Sequence, residues 1–86
     1  MKADAGKATR MLKTAKGQLE GVLKMVEDDR YCVDISNQIM AVLAILRNTN
    51  KDILQAHLEG CIRDAMNPDE QEKIKEMVSI IDKLSK

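Results

Sequence analysis

Three residues in this 86-residue chain have side chains suited to holding a soft metal or doing thiol chemistry: Cys32, His57 and Cys61. They are the only cysteines and the only histidine. "HLEGC" at 57–61 places His57 and Cys61 at i and i+4, one turn apart on one helical face. Taken alone, that pair could be a ligand pair, a redox thiol with a neighbour, or a small core cysteine beside a surface histidine. Two thiolates and one imidazole form a soft set of low number. Such a set favours Cu(I), which accepts trigonal coordination, over structural zinc with its four ligands or nickel and cobalt with more nitrogen and oxygen.

The elements that must position these groups are helices. Leu12, Ala15, Leu19, Val22, Leu23 and Val26 recur at spacings of three and four, which predicts a first amphipathic helix. Gly17 and Gly21 lie four apart within it and are expected to admit another helix at close range. "EDDRYCVD" at 27–34 ends this periodicity, and its aspartates are suited to capping the next helix. From Val33 to Glu59 there is neither glycine nor proline, and Ile35, Ile39, Val42, Leu46, Thr49, Ile53 and His57 form a stripe alternating by four and three. "MNPDEQEK" marks a boundary, with Asn67 as N-cap and Pro68 opening a third helix. That helix has a narrow apolar face of Ile74, Met77, Val78, Ile81 and Leu84.

The fold expected is all-α, three helices with a long central one, in a single domain over residues 1–86. Cys32 and His57 are 25 positions apart, or about 37 Å along a continuous helix, so they cannot meet within one chain. They can meet between two chains whose central helices pack antiparallel about a two-fold axis, which yields two identical sites. The ligand positions put that axis near residues 45 to 46. Leu46 then packs near its own mate and Ile39 faces Ile53, so one register builds both a site and a core. A chain with no Phe or Trp, and Tyr31 as its only aromatic, is expected to need such a partner for stability.

Net charge is zero, but residues 1–16 carry Lys2, Lys7, Arg10, Lys13 and Lys16 against Asp4 alone, about +4 locally. Any nucleic-acid surface should therefore involve the first helix; the ordinary alternative is a solvated basic face. The six methionines read as core filler. No apolar leader or membrane-length stretch is present, so a cytoplasmic location is expected, without membrane partners. Nothing suggests a substrate cleft, so no enzyme and no small-molecule substrate are expected.

The motifs "GQLEG", "MVEDDRYCVDI" and "HLEGC" resemble those of the copper-sensitive operon repressor family, over about half of the chain. The resemblance implies an antiparallel helical dimer, paired into a tetramer, that binds operator DNA and releases it when its inducer binds. In that family a Cys-His-Cys pattern marks the copper sensors, and here it falls on Cys32, His57 and Cys61. Tyr31 and Glu76 are implied as groups linked to the histidine, and Arg10, Lys13, Lys16 and Arg47 as DNA contacts. The chain departs from the family where an arginine-rich run usually precedes "GQ", and position 48 is Asn. Two alternatives stand beside a Cu(I)-responsive repressor. One is a persulfide- or thiol-sensing repressor using Cys32 and Cys61; the other is a copper-binding bundle without DNA binding.

Overall fold

The structure is a computed structural model that describes residues 1–64 and 68–84, though not the side chains at 61–64, 68, 70 and 84. It contains three helices, α1 (Ala5–Glu27), α2 (Cys32–Asp64) and α3 (Pro68–Leu84). The expected order, and the unusual length of the central helix, are both present.

Local chemistry sets the boundaries. Asp4 caps α1, its carboxylate accepting from the Lys7 N–H at 3.0 Å. At the other end the Asp28 N–H donates to Lys24 O, the Asp29 N–H to Val26 O and the Arg30 N–H to Met25 O. This is a Schellman closure, in which the residue past the cap must adopt left-handed backbone geometry. Asp29 does so, at φ 54°. Asp28 and Asp29 therefore close α1 rather than cap α2. Tyr31 precedes the first residue of α2, and Asp34 lies in that helix's first turn. Pro68 opens α3 as expected, while Asn67 falls outside the described residues.

α1 and α2 form an antiparallel hairpin, with Lys7 near the start of α1 paired to Asp52 far along α2 at 3.3 Å. Their contact is narrow. Among the described residues, Ala15, Val22 and Val42 are the buried apolar ones, with Ile35 and Ile45 packed against them. Thr49 extends the line, 3% exposed, and its hydroxyl donates to Ile45 O at 2.8 Å, so burial leaves no polar group unsatisfied. α2 also packs against α3, and α1 does not contact α3 among the described residues. On α3, Ile74, Met77 and Ile81 are half-buried, whereas Val78 is exposed.

The result is a plate one helix thick. Its extents are 56 × 26 × 13 Å, and the smallest is close to the roughly 10–12 Å diameter of a single helix. The radius of gyration is 16.9 Å, against about 12 Å for a compact chain of this length. The exposed surface of 6485 Å² exceeds the roughly 5,100 Å² expected for its mass. A single layer of helices has no second layer to bury its apolar stripes against.

Candidate metal centre

α2 is one continuous helix from Cys32 to Asp64, so its ends cannot approach one another. Cys32, a free and exposed thiol, is the first residue of the helix, and His57 is exposed near the far end. Cys61 belongs to the same helix one turn beyond His57, but its side chain falls outside the described residues. Within one chain, no three His, Cys, Asp or Glu side chains come together among the described residues.

What α2 does share is a face. At about 100° per residue, Cys32, Ile39, Leu43, Leu46, Asn50 and His57 lie roughly 40–100° around the helix from Val42. Ile39, Leu43 and Leu46 are exposed at 43%, 41% and 41%. The stripe inferred from the sequence is thus two parallel seams. Ile35, Val42, Ile45 and Thr49 pack toward α1, while Ile39 and Leu46 belong with Cys32 and His57 on the seam beside it. Leu43 was missed in that inference, although it continues the alternation of four and three through 39, 43, 46, 50, 53 and 57.

α1 contributes to the same side of the plate. Leu12, Leu19 and Leu23 are exposed and sit about 40–80° from Ala15 in the same rotational sense, which places them on the same face of an antiparallel pair. Gly17 and Gly21 lie on the outer edge of α1, with nothing within 4 Å of a β-carbon at either position. The close helix approach expected at these glycines does not occur among the described residues of the chain.

The remaining candidate residues are dispersed. Tyr31 is exposed beside Cys32, at the end of α2 opposite His57, and Glu76 is exposed on α3. Neither side chain has a hydrogen bond or ion pair to His57 among the described residues. Arg10, Lys13 and Lys16 are exposed on α1. Arg47 is exposed on the flank of α2 that faces away from α1, so one chain does not gather these cations into a patch. Among the described residues, no helix is long and apolar enough to cross a membrane.

Residues 4–83 match the profile of the metal-sensitive transcriptional repressor family. The chain belongs to that family. Its members are transcriptional regulators rather than enzymes. This metal-sensitive repressor is 40% identical over 79 residues to the copper-sensing transcriptional repressor CsoR of Bacillus subtilis (strain 168), covering 91% of this chain and 78% of that protein. It is 44% identical over 59 residues to the copper-sensing transcriptional repressor CsoR of Mycobacterium tuberculosis (strain H37Rv), covering 69% of this chain and half of the relative's length. The fold is similar to the crystal structure of the copper-sensing repressor CsoR with Cu(I) from Geobacillus thermodenitrificans NG80-2. The TM-score is 0.71 at 34% identity, covering 94% of this chain and 85% of that one.

Proposed function

We propose that this protein is a cytoplasmic Cu(I)-responsive repressor that binds operator DNA when metal-free and releases it when Cu(I) binds between two chains. The observation that carries this reading is the exposed seam of α2. It holds Cys32 and His57 at opposite ends of one unbroken helix, with Ile39, Leu43 and Leu46 exposed between them.

A second copy laid antiparallel along that seam serves two needs at once. It covers the apolar stripe, which is costly to leave in water. It also brings Cys32 of one chain to His57 and Cys61 of the other, with Leu46 close to the two-fold axis. The donor set of two thiolates and one imidazole suits Cu(I) on chemical grounds, since a soft ion prefers sulfur ligands. When bound, the metal supplies cross-chain bonds that fix the relative position of the two α2 helices. Tyr31, adjacent to Cys32 in sequence, and Glu76 are the acceptors proposed to hold the imidazole's other N–H once two chains are assembled.

The DNA-facing surface is built from Arg10, Lys13, Lys16 and Arg47, gathered by assembly into a dimer and then a tetramer. Lysines there act as point charges on phosphates, so affinity should fall steeply with salt. Copper must bind the two DNA-affinity states unequally to release the operator, a coupling of roughly 1–3 kcal/mol or more.

Titrating Cu(I) into a complex with DNA from directly upstream of the gene tests the proposal. Wild type should lose DNA affinity, and His57→Ala should retain it at the same copper level. Equal loss in both proteins, or none in wild type, would refute the reading. A loss produced by polysulfide but not by copper would transfer it to thiol sensing.

A further inference from the structure

Lys16 and Glu20 lie four positions apart on α1. Both are exposed, and neither has an ion pair or a side-chain hydrogen bond among the described residues. Lysine preceding glutamate by four is the weaker order for a pair within one helix, so both charges stand ready for another partner. Their place around α1 sets them apart from the other cations. Leu12, Leu19 and Leu23, exposed at 46%, 49% and 58%, lie about 40–80° from Ala15 on the face shared with Leu46. Lys16 follows at about 100° and Glu20 at about 140°, along the rim of that face. Lys13, Lys24 and Arg10 come after them at about 160–220°, on the outer edge of the helix.

Two plates stacked face to face with antiparallel α2 helices are related by a two-fold axis that runs across the helices. α1 therefore lies on the partner's α1 as well. The axis proposed above passes near Leu46. α1 runs antiparallel to α2, with Val22 and Val42 in one buried cluster and Met11 and Ile53 lining one groove. The level of Leu46 thus falls at about residue 18 of α1, midway between Lys16 and Glu20. We propose that each Lys16 pairs with the partner's Glu20 across this axis, and that the pattern selects a second copy of this chain as the partner. Beneath the pairs, Leu12 meets the partner's Leu23, with Leu19 close to the axis. The leucines supply area, which any apolar face of similar shape would accept; the rim charges discriminate, as at the e and g positions of a coiled coil. The inference rests on the antiparallel pairing proposed above. It refines that reading by assigning Lys16 to the contact between chains and leaving Arg10, Lys13 and Arg47 to face DNA. One exposed ion pair contributes little. Symmetry doubles it, and a mismatched partner replaces both attractions with repulsions.

Chains of distinguishable mass are refolded together in equal amounts, and native mass spectrometry at low salt reads the composition of the assemblies. Lys16→Glu and Glu20→Lys each set like charges across the axis at two symmetric positions. Each alone should associate about tenfold more weakly than wild type. Mixed together they restore opposite charges at both positions. Assemblies holding the two in equal number should then reach about nine-tenths of the total, against roughly half or less by random association. The protein carrying both substitutions should associate like wild type yet sort away from it, with mixed assemblies below about a tenth. Both biases should collapse toward random composition in about 1 M ammonium acetate, where the screening length is roughly 3 Å. Recovery in the first mixture also separates pairing between chains from pairing within one helix, because a clash inside α1 would persist whatever the partner. Random composition in both mixtures at low salt overturns the inference, and so does a bias that salt leaves unchanged. Wild type that does not self-associate overturns the antiparallel pairing itself, which is a distinguishable result.

Discussion

At the scale of single residues, the proposed site is defined by what one chain lacks. Cys32 and His57 are both exposed and far apart, so each chain offers two half-sites and no whole one. Mixing two defective proteins tests this. Cys32→Ser and His57→Ala homodimers should each lose high-affinity Cu(I) binding. In a refolded equal mixture, every heterodimer carries one site damaged twice and one intact. Copper capacity should therefore recover to roughly a quarter of the wild-type value by random pairing. Chelator competition reads this directly, and no recovery would mean the ligands belong to one chain. Asp4 gives a second residue-scale prediction. The backbone hydrogen bond from Lys7 holds its carboxyl below the ordinary value of 3.8, helped by the backbone at Gly6 and by the charges of Arg10 and Lys7. A lowered folded-state value means that the stabilisation is present above the unfolded value and is lost as pH falls through the folded one. Thermal melts across that acidic range should show wild type losing more stability than Asp4→Asn, which keeps a capping oxygen without titrating.

At the scale of the element, the turn between α1 and α2 matters because it sets where Cys32 begins. Its closure depends on Asp29 at φ 54°, a conformation that costs an L-residue energy and glycine almost none. Asp29→Gly should raise stability by about 0.5–1 kcal/mol, visible as a higher melting temperature with unchanged helix content. Asp29→Val should lower it, because a β-branched side chain is the least compatible with left-handed geometry. The C-cap was partly legible in the chain: the aspartate run announced the end of α1. Which of its residues would adopt positive φ was not, since three hydrogen bonds to Lys24, Met25 and Val26 determine that position.

At the scale of the molecule, a plate 13 Å thick with leucines exposed on one face calls for a second layer. Leu46, at 41% exposed, is the residue expected nearest the two-fold axis. Leu46→Glu would place two carboxylates against each other in that interface. Burying them unpaired should cost at least about 3 kcal/mol, or more than a hundredfold in the dimer dissociation constant. Sedimentation equilibrium should show the shift to monomer, with circular dichroism following the helix content. A Leu46→Glu protein that associates as tightly as wild type would place the dimer on another face.

The sequence by itself determined that the chain is helical, that its central helix is unbroken, and that Cys32 cannot reach His57 within one chain. These are consequences of local periodicity and a fixed rise per residue, which need no tertiary information. It did not separate the two seams of α2. Spacings of three and four suit adjacent faces equally well, and only the packing of Val42, Ile45 and Thr49 toward α1 left Ile39, Leu43 and Leu46 uncovered. Nor did it show that the Lys2 side chain would cover Gly60. A helical glycine reads as a weak point until the fold brings Lys2, 58 positions earlier, across it. Contact between residues so distant in sequence depends on how the helices pack, and that is decided in three dimensions.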